Sequence, residues 1–199
     1  MARLFLDIET LPAPPELRGL VLSTLKEPPE NDDEERAILE STSLRGEFGR
    51  ILCIGYWMEP PMTQADVLTG DEPEMLRRFW EIARGAALYV GHNILDFDLP
   101  FLVKRSIIHR VKPLPISFAR YRSEPVYDTM KQWNLWGRDR IGLDALAKVL
   151  GLRTSKGAID GSKVAGAHAA GRDAEIYAYC KEDVRLARDV YRRMTFADE

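Results

Sequence analysis

Arg3-Leu4-Phe5-Leu6-Asp7-Ile8-Glu9-Thr10 is an apolar run that ends in two carboxylates one residue apart. Read as a strand, its period of two places Asp7 and Glu9 on one face. Neighbouring acids repel each other and gain nothing from burial, so an uncompensated pair costs stability. A divalent cation removes that cost, because Mg²⁺ and Mn²⁺ take carboxylate oxygens and keep water or phosphate as further ligands. A strand ending in a polar turn explains this fragment more simply when it is taken alone. The reading therefore turns on whether distant parts of the chain supply carboxylates in matching contexts.

The chain has 199 residues, 45% of them hydrophobic and 30% charged, which suits one α/β domain with a real core. A net charge of −3 argues against a non-specific nucleic-acid coat protein but leaves room for a local basic groove. Cys53 and Cys180 have neither zinc-site nor redox-pair spacing, so buried, reduced thiols are expected. A strand starting at residue 3 leaves no space for a signal peptide, and no apolar run approaches the ~20 residues that span a bilayer. A cytoplasmic location is the expectation.

After Thr10 a proline-rich stretch stops the strand, and residues 11–49 read as an insertion with an acidic segment and a short helix near 34–44. A partly mobile surface excursion is expected there, with a flap over a site as the rival. Strands are expected over 49–57, 65–69 and 86–90. Helices are expected over 73–84, capped by Asp71, from about 99 toward Arg110, and over 143–150 and 172–194. Between Leu99 and Ser123 there is no acid, whereas Lys104, Arg105, Arg110, Lys112, Arg120 and Arg122 are present. Such a run is either a solvated face or a track for a phosphate backbone. Asp128 reads as a cap or supporting acceptor, and Trp133 and Trp136 as core. Residues 153–166 read as a glycine-rich loop in which Lys156 and Lys163 are candidate substrate contacts. Tyr179 and Asp183, four apart in the last helix, share a face. Mid-helix Asp has poor propensity, so Asp183 asks for a reason.

A strand end (Asp7, Glu9), a helix start (Asp98) and a helix interior (Asp183) thus supply acids in three contexts. Asp7-Ile8-Glu9-Thr10, His92-Asn93-Ile94-Leu95-Asp96-Phe97-Asp98 and Tyr179-Cys180-Lys181-Glu182-Asp183 resemble the three motifs of the DEDD superfamily of 3′→5′ exonucleases. The branch they look like is the tyrosine branch, similar to the proofreading domain of family-B DNA polymerases. Tyr127-Asp128-Thr129-Met130 and Leu143-Asp144-Ala145-Leu146-Ala147 fit that branch too, as do Ser155-Lys156-Gly157 and Asp160-Gly161-Ser162. Nearly the whole chain outside residues 11–49 is covered.

The resemblance implies an α/β, ribonuclease-H-like fold: a mixed five-stranded sheet flanked by helices, in a single domain over 1–199. It implies two Mg²⁺ or Mn²⁺ ions held by Asp7, Glu9, Asp98 and Asp183, with Tyr179 orienting the attacking water. Nucleoside 5′-monophosphates would leave one at a time from the 3′ end of a single or frayed strand, DNA being favoured over RNA. Thr10 and Leu11 would touch the terminal sugar and base, and His92, Asn93, Lys104, Arg105 and Lys156 would steady the strand. Asp96 competes with Asp98 for the third ligand position, which the Phe-Asp-Leu-Pro pattern of the family gives to Asp98. His168 and Asp173 fit the histidine branch of the superfamily, but Gly171 interrupts the helix that branch needs. A free-standing exonuclease is expected. The alternatives are an exoribonuclease or oligonucleotidase, and a catalytically idle nucleic-acid-binding module.

Overall fold

The computed structural model describes residues 2–154 and 160–197. Strand β1 (Arg3–Leu11) is followed by helices α1 (Arg18–Ser23) and α2 (Asp32–Ser41), then strands β2 (Arg50–Glu59) and β3 (Asp66–Thr69). Helix α3 (Glu72–Ala83), strand β4 (Leu88–Gly91), helix α4 (Asp98–Ile108), strand β5 (Val126–Asp128) and helix α5 (Thr129–Trp133) come next. Helices α6 (Leu143–Val149), α7 (Val164–Ala169) and α8 (Asp173–Met194) complete the order. The sheet runs β3-β2-β1-β4-β5. β2 is antiparallel to both β1 and β3, while β1, β4 and β5 are parallel. This is the five-stranded mixed sheet expected of a ribonuclease-H-like α/β domain.

The period of two in β1 decides which helices cover which face. Leu4, Leu6 and Ile8 point to one side and pack with Leu76, Phe79 and Trp80 of α3 and Leu99 and Leu102 of α4. Burying Leu76 or Phe79 contributes about 1.5–3 kcal/mol each. Phe5 points the other way, against Val184 and Tyr191 of α8, and Asp7 and Glu9 follow it on that side. The core positions of α8 (Ile176, Cys180, Val184, Ala187, Tyr191) recur at intervals of three or four, so one stripe of the helix lies on the sheet. Close approach depends on Gly55, which pairs with Asp7 across β1 and β2. A Cβ at residue 55 would come within 2.8 Å of Cys180 Sγ and 2.9 Å of Val184 Cγ2.

The insertion is more ordered than expected. Asn31 caps α2, accepting from the Glu34 N–H at 2.9 Å. Buried Thr42 receives the Ala13 N–H at 2.8 Å, which ties the segment to the end of β1. The stretch read as a loop over 153–166 contains a helical part, since a 3-10 turn over Gly161–Lys163 leads into α7. Cys53 and Cys180 are free and buried. Among the described residues no helix is long and apolar enough to cross a membrane.

Candidate metal-binding active site

Strands β1 and β4 pair from Arg3 opposite Leu88 as far as Phe5 opposite Val90 and then part, which leaves N–H groups of β1 in need of acceptors. Asp98, at the start of α4, fills that gap. Its Oδ1 accepts the Ile8 N–H at 3.0 Å, so its carboxylate is pinned to β1 between Asp7 and Glu9. Beyond Glu9 the β1–β2 register slips by one residue, an irregularity of the kind that re-aims side chains beside functional sites. Asp183 reaches the same place from α8, and the Tyr179 hydroxyl one turn earlier is hydrogen-bonded to it.

Asp7, Glu9, Asp98 and Asp183 therefore meet at the C-terminal edge of β1, where open α/β sheets place ligands. Among the described residues none of the four is ion-paired with a Lys or Arg. Burial pushes the protonation of all four upward, and repulsion within the set adds to it at Asp7 and Glu9. Asp7 is driven well above the usual carboxylate range by burial and by the charges of Asp98, Glu9 and Asp183. Burial, Asp183 and Asp98 raise Glu9 to about 8. Burial raises Asp98 to about 7 despite backbone N–H donors, and raises Asp183 to about 6 despite Tyr179. Tyr179 itself is pushed up by burial and the surrounding carboxylates, so it stays a phenol at neutral pH. Hard oxygen donors, crowded, buried and without a counter-charge, fit a divalent cation. Ligand atoms of Asp7, Glu9 and Cys180 lie within 4.8 Å of one another. The Cys180 thiol is 3.6 Å from Asp7 Oδ2, a neighbour that sequence spacing did not reveal.

Other expected site residues have internal roles. Asp96 lies outside the cluster and pairs with Lys131 on the surface. His168 Nδ1 and Asp173 Oδ1 are 2.8 Å apart on the exposed join of α7 and α8, where Gly171 turns at φ 70° and breaks the helix. Leu11, expected to wedge against a base, is instead buried against Leu52, Val164, Ala167 and Ile176. Thr10 gives its hydroxyl hydrogen to the Ser43 carbonyl at 2.7 Å. His92 uses both ring nitrogens internally, with Thr129 Oγ1 at 2.9 Å and the Ile141 carbonyl at 2.8 Å, and so acts as a brace. Arg105 is corrected most sharply. Its guanidinium is buried and binds both oxygens of Glu72 at 2.8 Å, which His109 also meets. Lys104 pairs with Glu47 at the surface. Lys156 lies outside the described residues. Asn93 adopts φ 62° and keeps a buried Oδ1 without a partner among the described residues, an unsatisfied acceptor beside the site.

Asp128 does more than cap α5. Its two oxygens take the N–H groups of Asn93, Leu95, Met130 and Lys131 at 3.0–3.1 Å. The turn that leads to Asp98 is thereby fixed to the start of α5.

The fold has a counterpart among solved structures. The family B DNA polymerase of the hyperthermophilic archaeon Pyrobaculum calidifontis superposes with a TM-score of 0.67 at 16% identity, over 98% of this chain and 24% of that one. The chain thus spans about a quarter of that polymerase, and the likeness concerns the fold. No curated protein matches the sequence. A family model described as a predicted 3′-5′ exonuclease related to the exonuclease domain of PolB matches residues 61–198. The chain belongs to this PolB-exonuclease-related family.

Proposed function

We propose that the protein is a metal-dependent 3′→5′ exonuclease that removes nucleoside 5′-monophosphates from the 3′ end of single-stranded DNA. The observation that carries this reading is the convergence of Asp7, Glu9, Asp98 and Asp183 without a cationic partner among the described residues. These four would hold two Mg²⁺ or Mn²⁺ ions. When bound, such ions lower the pKa of the attacking water and neutralise the departing 3′ oxygen.

The rest falls to the chain. Asp98, fixed by the Ile8 N–H, sets the distance between β1 and the start of α4. Tyr179 keeps its proton, so its role is to orient the attacking water through the hydroxyl while Asp183 holds that hydroxyl in place. The unsatisfied Asn93 Oδ1 offers an acceptor to a hydroxyl or amino group of the terminal nucleotide.

The test uses 3′- and 5′-labelled single strands of DNA and RNA with one sequence, in Mg²⁺, Mn²⁺ or EDTA. Wild type, Asp7→Ala, Asp183→Ala and Asp173→Ala are compared. A metal-dependent ladder from the 3′ end, lost with Asp7→Ala and Asp183→Ala and kept with Asp173→Ala, is expected, with DNA the faster substrate. Loss with Asp173→Ala and survival of Asp183→Ala would move the chemistry to His168. Binding without turnover in any metal would leave an idle binding module.

A further inference from the structure

Along α4 and the turn that leads to Asp98, residues 95–104 and 118–136 border a groove of about 410 Å³. Asp98 begins the helix whose Pro100 and Val103 form one wall of it. The opposite wall carries Phe118, Tyr121 and Trp136. These aromatics are not core. Tyr121 is 73% exposed, and its ring lies 5.2 Å from that of Trp136 at a tilt of 45°. Both residues have positive φ, 61° and 62°, a conformation that bulky side chains seldom adopt. Such backbone strain persists only where the surroundings impose it, and it concentrates at ligand-binding sites.

The charges at the groove have one sign in excess. Lys104, Arg120 and Lys131 line it, Lys104 being paired with Glu47, and a second concavity that shares Tyr121 and Trp136 adds Arg138 and Arg140 against one acid, Asp139. Asp96 offsets Lys131, but Arg120 has no carboxylate partner among the described residues. Exposed aromatic faces between cations are the chemistry that holds an unpaired nucleic-acid strand, with bases stacked and phosphates neutralised. An acidic small molecule would use the cations and leave the ring faces idle.

We propose that this groove is the subsite for the unpaired bases upstream of the 3′-terminal nucleotide, with Tyr121 and Trp136 stacking the bases and Arg120 contacting the backbone. This rests on the exonuclease reading for its direction, since Asp128 holds the turn before Asp98 and the start of α5 in one frame. A duplex end has its bases already stacked and cannot offer them to the rings, so the groove selects single strands. It also gives long strands an advantage over a dinucleotide, which ends before reaching it.

Two readouts test this on the full chain, with a double variant Tyr121→Ala/Trp136→Ala and, separately, Arg120→Ala. In EDTA, fluorescence anisotropy measures binding of a labelled single-stranded DNA ten nucleotides long. In Mn²⁺, KM is measured for that strand and for a dinucleotide. Removal of the rings is expected to weaken strand binding and raise KM on the long strand by about 10-fold or more, with kcat/KM on the dinucleotide held within about twofold. Arg120→Ala should weaken binding less and flatten its salt dependence. Unchanged strand binding in both variants, or equal losses on long and short substrates, would overturn the subsite. If the wild type hydrolyses neither substrate, the exonuclease reading fails while the anisotropy arm still decides the groove.

Discussion

Helix α4 buries charge at both ends, in opposite company. At its start Asp98 joins Asp7, Glu9 and Asp183, and burial holds all four above the usual carboxylate range, with repulsion within the set adding to it at Asp7 and Glu9. Near its end Arg105 meets Glu72, and His109 and the Ile51 N–H complete the set. There burial also pushes the carboxyl upward, but the Arg105, Ile51 and His109 hydrogen bonds win and hold Glu72 below its ordinary value. One end is electrostatically complete. The other is complete only with something positive added, and that difference separates a structural charge cluster from a functional one.

The largest test of the contrast is Asp7→Asn. It should lower kcat by about 1,000-fold or more and at the same time raise the melting temperature of the metal-free protein at pH 8, because a repelled carboxylate is removed. Loss of activity together with loss of metal-free stability would mean that Asp7 is already compensated. Arg105→Met should do the reverse. Leaving Glu72 with only His109 and the Ile51 N–H costs about 3 kcal/mol, read by urea unfolding, or roughly 6–12 °C in melting temperature, with strand binding unchanged. A fall in strand binding without a fall in stability would restore Arg105 to the substrate. Tyr179→Phe should keep the fold and the metal affinity and cut kcat by about 100-fold. An undiminished kcat would remove the hydroxyl from the mechanism.

The two ends also titrate in opposite senses. Glu9, Asp98 and Asp183 sit at about 8, 7 and 6 when folded and near 4 when unfolded, so over that window the native state binds more protons than the unfolded one. Stability of the metal-free protein should therefore be full below about pH 4 on this account and fall as pH rises toward 8. Mn²⁺ should restore it most at the alkaline end. Glu72 contributes stability above its unfolded pKa, and this is lost as pH falls through the lowered folded value. A metal effect on melting temperature that does not grow with pH would contradict the carboxylate account. The smallest effect belongs to Asp173→Ala, an exposed pair member, with kcat expected within about twofold and stability within about 0.5 kcal/mol.

The sequence carried the parts of this that depend on local spacing. Alternation in residues 3–9 separates the core face from Asp7 and Glu9, and the helical interval from Tyr179 to Asp183 survives intact in α8. It was weaker where a partner is distant along the chain. Nothing near Arg105 announces Glu72, 33 residues away, so a buried ion pair resembled one more member of a basic run. His92 and Leu11 were misread for the same reason, their partners lying on α6's approach and on α7 and α8. Trp133 and Trp136 failed in the other direction. Size and hydrophobicity suggested core, but Trp133 is 38% exposed and Trp136 lines an open groove.

Gly55 fixes a length. Asp7 rides on β1, directly opposite Gly55, while Asp183 rides on α8, which rests on Gly55 through Cys180 and Val184. The missing side chain therefore works as a spacer of zero thickness between two of the four carboxylates. A single methyl group there would lift the helix by a fraction of an ångström without touching any charged group. Because a small hard ion tolerates little error in ligand distance, the gauge of the centre is cut by a residue that takes no part in its chemistry.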